Sequence, residues 1–216
     1  ILFVLLHTVN HFLFKSGLFM AAGAIVSEVH TRNLDAMGGL ARRWPHFSGA
    51  VLVLMFAAAA LPPLGTFFGE WVYVQTFALG LASSSLLISL GSLVMLSVIA
   101  LVGGLAIFTF VKAFSAIFLG RGRSDAIDSV HPLPFTITTP IWLTAVLALG
   151  TGLFSGVIVT TVAASVAVGT SGNTLVIVPE AAIQPLALYL GLLLIPLTFA
   201  ILYWSFGTPK IRMTDT

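Results

Sequence analysis

The sequence predicts an all-α, polytopic transmembrane helix bundle of about five spans, the second of them broken. Three observations predict it. The chain of 216 residues is 58% hydrophobic and only 7% charged, with a mean hydropathy of +1.11, whereas soluble domains carry about 25% charged residues. The apolar residues fall in unbroken runs that meet the ~20-residue length of a membrane-crossing helix. They do not show the dyad alternation of a membrane β-barrel. Basic residues gather at the ends of those runs.

Span I is expected over residues 1–26, span II over 47–80, span III over 86–119, span IV over 136–168 and span V over 183–206. Arg32, Arg42 and Arg43 follow span I, and no basic residue follows span II. Arg121 and Arg123 follow span III, only Glu180 follows span IV, and Lys210 and Arg212 follow span V. This alternation is what the positive-inside rule expects, and it predicts that the connections after spans I and III and the C-terminus are cytoplasmic. Span II is overlong. Its middle reads Leu61-Pro62-Pro63-Leu64-Gly65-Thr66-Phe67-Phe68-Gly69-Glu70. Prolines remove backbone donors and clash with the preceding turn, so unwound backbone is expected between about residues 61 and 68. Such backbone survives at membrane depth only against protein or a wet cavity. Ile1 is neither an initiator Met nor a polar flank. The expectation is a single transmembrane domain over 1–216 that is the C-terminal part of a longer subunit.

Three charges fall well inside spans: Lys15, Glu70 and Lys112. A central charge costs about 2.5–3.5 kcal/mol on insertion scales, so each is expected to face protein or water. His7, His11 and Lys15 recur every fourth residue and form one stripe about 12 Å long, with Asn10 beside His7. Histidine exchanges protons near neutral pH. Burial brings lysine down and glutamate up toward that range. The stripe therefore suits a proton wire. The plain alternative is that these side chains only lock helices together; three in register, with a glutamate at a broken helix, favour the wire. Lys112 lies toward the cytoplasmic end of span III, where it can snorkel to the headgroups. His30, His46 and His131 lie in connections and are expected to be solvated.

Other chemistries are disfavoured. There is no cysteine, which removes disulfides, thiolate metal sites and cluster ligation. No Gly-rich phosphate loop occurs, so no nucleotide cofactor is expected. His7 and His11 have a metal-compatible spacing but lack the zincin glutamate, and no metal is expected. The scattered basic residues make nucleic acid an unsuitable partner.

The segments His7–Ile25, Leu34–Pro45, Leu61–Trp71 and Phe110–Arg121 together resemble the antiporter-like membrane subunits of NADH-quinone oxidoreductase, membrane-bound hydrogenases and multisubunit cation/proton antiporters. The motifs occur in family order and cover most of residues 1–123; residues 124–216 match only as further apolar spans. The hydrogenase-4 component B and formate hydrogenlyase type is most similar, with Glu on the broken helix and Lys on the next. The resemblance implies that His7, His11 and Lys15 belong to a central hydrophilic axis. It implies that Glu70 is the terminal proton-transfer residue and Lys112 its neighbour. It further implies a proton-translocating subunit of a redox-driven complex, with no redox site of its own. Its partners would be other membrane subunits, a peripheral redox arm and membrane lipid, in a prokaryotic cytoplasmic membrane. A sodium/proton antiporter subunit without redox partners is the alternative, and sodium transport stays open.

Overall fold

The computed structural model describes residues 2–158, 160 and 161 of the chain. These fold into helices α1 (Leu2–Val29), α2 (Leu40–Arg43), α3 (Pro45–Ala58), α4 (Gly65–Leu81), α5 (Leu86–Phe118), α6 (Asp125–Asp128) and α7 (Phe135–Leu153), with one 3-10 turn at Leu34–Ala36. Among the described residues there is no strand. Helices α1, α5 and α7 are each long and apolar enough to cross a bilayer. Span V lies outside the described residues.

Helices α3 and α4 form the broken span. Helix α3 closes with a left-handed residue, Ala60 (φ 50°). The Ala60 amide bonds the Ala57 carbonyl at 3.2 Å, and the Leu61 amide bonds the Phe56 carbonyl at 3.0 Å. This is the paired closure usually built on glycine. The chain then turns through Pro62 and Pro63 and re-enters a helix at Gly65, with Leu64 extended as its cap. The break therefore covers residues 59–64, and Gly65 to Phe68, expected to be unwound, are the first turn of α4. Leu61 precedes a proline and is steered out of the helical region, which ends the helix upstream of the prolines themselves.

The sequence places span IV over residues 136–168. Helix α7 instead stops at Leu153 with Phe154 as its cap. Residues 155–158 are helical again, and 162–168 lie outside the described residues.

Both connections that carry arginines meet at one end of the bundle, here called the basic end. The Gly39 amide caps the Leu119 carbonyl of α5 at 2.9 Å. Arg123 donates to the Leu34 carbonyl at 3.2 Å, and the Ser124 hydroxyl donates to the Ala36 carbonyl at 2.9 Å. Trp44 donates its indole N–H to the His131 carbonyl at 2.8 Å. His131 in turn lies 3.7 Å from the Glu28 carboxylate. Helix α1 thus ends, α3 starts, α5 ends and α7 starts at the basic end. The core lies where α1, α3 and α7 pack together, around Ala21, Leu54 and Ile141. Helix α5 stands at the side against α3 and α4, with only Ser92 and Phe118 buried.

Candidate functional site

The break in the second span forms an elbow in the interior, seated on α1 and α7. A Cβ on Gly65 would run into Asn10 Oδ1 and Thr151 Oγ1, and a Cβ on Gly152 would run into the Pro63 carbonyl oxygen. Glycine at both places lets the backbone of the elbow sit directly on its neighbours. Asn10 is 4% exposed. Its amide donates to the Leu6 carbonyl at 2.9 Å, and the Thr151 hydroxyl donates to its oxygen at 2.5 Å. One buried polar pair thus ties α1 to α7 at the level where α4 begins.

Helix directions then place the expected residues along the bundle axis. Lys15 lies five residues from Asn10 toward the basic end, roughly 7 Å at 1.5 Å per residue. His11 is level with the elbow. His7 is one turn beyond it, away from the basic end. Glu70, five residues past Gly65, lies on that same far side. The structure therefore brings His7 and Glu70 to one layer and does not bring Lys15 and Glu70 together; the two are about 15 Å apart along the axis. Among the described residues no ion pair joins them. The two helices are consecutive, but α1 runs toward the basic end and α4 away from it, so equal steps from the elbow carry the two charges apart.

Exposure also grades along the stripe. His7 is half-buried, while His11 and Lys15 lie on the outer side of α1 in this chain. The His7 and His11 rings are 6.0 Å apart between centroids, and His11 sits edge-on to Phe14 at 4.9 Å. Glu70 is half-buried. Lys112 is exposed on α5. Its neighbour Val111 borders a cleft with Met55, Phe56, Ala59 and Leu61, which sets Lys112 on the basic side of the elbow with Lys15. His30, His46 and His131 are exposed, as the sequence suggests.

Three polar groups near the elbow are not singled out by sequence reasoning: Thr66, Thr151 and Ser155. Thr66 Oγ1, Ser155 Oγ and His7 Nδ1 are buried and find no hydrogen-bond partner among the described residues. The only sequence signal for them is a hydroxyl inside an apolar run, and such hydroxyls usually bond their own helix.

The fold defines the chain as a polytopic helical membrane protein with a discontinuous helix seated at its interior. Residues 2–100 match the family described as NADH:quinone oxidoreductase/Mrp antiporter, TM, so this stretch is similar to the antiporter-like membrane subunits. It is 38% identical over 146 residues to hydrogenase-4 component B of Escherichia coli strain K12, covering 67% of this chain and 22% of that protein. It is 35% identical over 139 residues to formate hydrogenlyase subunit 3 of the same organism, covering 63% of this chain and 22% of that protein. It is 30% identical over 157 residues to Na(+)/H(+) antiporter subunit A1 of Staphylococcus haemolyticus, covering 70% of this chain and 19% of that protein. The match thus spans about a fifth of the length of these relatives.

Proposed function

We propose that this chain is part of a proton-translocating membrane subunit of a redox-driven complex of the hydrogenase type, and that protons pass along Lys15, His11, His7 and Glu70. One observation carries the reading. The stripe of α1 runs from the basic side of the elbow, past it, to the layer of Glu70. Each step along it is one helical turn. A ring separation of 6.0 Å is too long for a direct hydrogen bond and suits transfer through one bridging water. Glu70 then receives the proton on the far side, on a half-helix that the elbow sets apart from α3. Lys112 belongs to the basic end of the same path.

His11 and Lys15 face outward from this chain. A mid-span ammonium demands a partner or water, so the groups that neutralise Lys15 belong to another part of the subunit or to a neighbouring one. The chain contributes no redox centre; partner subunits and a peripheral arm would carry the electrons. The basic end would face the cytoplasm. The likeness to an Na(+)/H(+) antiporter subunit supports a second reading, cation/proton exchange without redox partners. Co-purification of redox subunits separates the two.

The test uses the full-length subunit in its assembled complex, reconstituted in vesicles. Lys15→Ala and Glu70→Ala should each abolish proton flux while assembly persists. Lys15→Arg should also impair it, because guanidinium hardly releases its proton. Normal flux in assembled Lys15→Ala would defeat the proposal.

A further inference from the structure

We propose that the groove between α1 and α5 at the basic end seats an acyl chain of an anionic phospholipid, with Arg32 holding the phosphate at its mouth. The proposal does not depend on the proton path.

The groove has a volume of about 850 Å³. Ala22 and Val26 of α1 form one wall and Phe110 and Ala113 of α5 the other. Val51 and Met55 lie beneath, on α3, which packs against both helices. The lining runs from Leu18 to Ser27 on α1 and from Thr109 to Ile117 on α5, about 14 Å and 12 Å at 1.5 Å per residue. That is close to one leaflet, half of the ~30 Å hydrocarbon core. A membrane-crossing helix would need a seat through both leaflets, whereas an acyl chain needs only one. The lining also has no polar group to spare. The Ser27 hydroxyl donates to the Ala24 carbonyl at 2.9 Å, and the Thr109 hydroxyl to the Leu105 carbonyl at 2.7 Å. A polar group brought into the groove would be left unmated, so the part of the ligand inside it is hydrocarbon.

The mouth of the groove is cationic. Arg32 borders it just past the end of α1. Its guanidinium is exposed and makes no hydrogen bond or ion pair among the described residues. Arg123 stands beside it. Its Nη1 donates to the carbonyl of Leu34, which lines the groove, at 3.2 Å and to the Ala116 carbonyl at 3.4 Å. The acids of this region do not answer these charges. Glu28 lies by His131, and neither Glu28 nor Asp35 borders the groove. A guanidinium can grip a phosphate through two parallel hydrogen bonds. Basic pockets between membrane helices on the cytoplasmic side favour anionic headgroups. A hydrocarbon slot one leaflet deep, with a free cation at headgroup level, matches the two ends of an anionic phospholipid.

Gly23 offers a way to block the groove. It lies in the lining, and a Cβ added there meets nothing within 4 Å, so Gly23→Phe fills the space without displacing the core. The test uses the full-length subunit in its assembled complex, in phosphatidylcholine vesicles. These carry a trace of phosphatidylglycerol or of phosphatidylcholine with a photoreactive diazirine in the acyl chain. Illumination should label residues 18–27 and 109–117. The phosphatidylglycerol probe should label them about fivefold more than the phosphatidylcholine probe, the weight of one arginine near an anionic headgroup. Arg32→Gln should remove that preference, and Arg32→Lys should keep most of it. Gly23→Phe should abolish labelling of both stretches with the complex still assembled. Equal labelling by the two probes in the unaltered complex, or an unchanged preference in Arg32→Gln, overturns the proposal. A groove that stays unlabelled also overturns it, and loss of assembly in Gly23→Phe would then assign the groove to another protein segment. Should Gly23→Phe fail to assemble while the unaltered groove is labelled, the Arg32 variants still decide.

Discussion

Thr151 has one hydroxyl proton and two acceptors within reach, Asn10 Oδ1 at 2.5 Å and the Ala148 carbonyl at 3.0 Å. The shorter contact is the one that matters to the fold, because it joins two helices and Asn10 is buried, 4% exposed. Thr151→Val removes that donor while keeping the shape. It is expected to cost about 1–3 kcal/mol, the penalty for a buried acceptor left unmated, and Thr151→Ser should recover most of it. Adding Asn10→Leu to Thr151→Val should cost less than the two single changes combined, since the second change removes the group the first one orphaned. Thermal unfolding of the purified full-length subunit reads all four; additive losses would show that the pair does not act as a unit. Sequence reasoning saw half of this. The spacing of His7, His11 and Lys15 is local, and so is the place of Asn10 beside His7. Thr151 is 141 residues away, and nothing in a run of Ala, Leu and Gly says which hydroxyl will meet an asparagine. The same locality limits what the sequence says of Lys15 and Glu70: each one's place along its own span is legible, but the layer each reaches depends on Gly65 packing against Asn10 and Thr151, which only the fold sets.

The elbow shows how far residue types specify an element. Pro62 and Pro63 announce a break, and a break is there. Gly65 falls in the stretch expected to be unwound, yet it is helical, and its missing side chain serves close contact with Asn10 and Thr151 instead. The closing residue of α3 is Ala60, which carries no sequence signal for a left-handed conformation. Two substitutions should move stability in opposite directions. Gly152→Ala would drive a methyl group into the Pro63 carbonyl, and overpacking of this kind costs about 1–3 kcal/mol. Ala60→Gly relieves a left-handed Cβ worth about 1–2 kcal/mol and loses roughly 0.5–1 kcal/mol to the freer unfolded chain, leaving a gain of up to about 1.5 kcal/mol. Unfolding midpoints of the two variants should straddle that of the parent; a neutral Gly152→Ala would mean that α7 does not carry the elbow. The interruption inside span IV escapes the sequence for a related reason. Hydropathy counts residue types over a window and does not register a one-residue interruption such as that at Phe154.

On the scale of the whole molecule, charge placement gave the organisation more reliably than span lengths did. The arginine-bearing connections were assigned to one side from their sequence alone, and they interlock at one end through Gly39–Leu119, Arg123–Leu34 and Ser124–Ala36. Helix α5 separates that end from the opposite one. Its 33 residues extend about 50 Å at 1.5 Å per residue, more than the ~30 Å hydrocarbon core, so both of its ends reach water. The turn before α5 and the connection after it must then lie on opposite faces of the membrane. Ser84 and Ser129 report on the two ends, and both are exposed. Ser129 is the better probe than Ser124, whose hydroxyl holds the Ala36 carbonyl. The 216 residues contain no cysteine, so a single Ser84→Cys or Ser129→Cys adds one thiol to this region. In sealed vesicles of known orientation, a membrane-impermeant maleimide should reach Cys at one position only from outside and at the other only from inside. The position joined to the arginines should be the one on the cytoplasmic face. Labelling of both from the same face would mean that α5 does not span, and it would remove the frame on which the placement of His7 and Glu70 beyond the elbow depends.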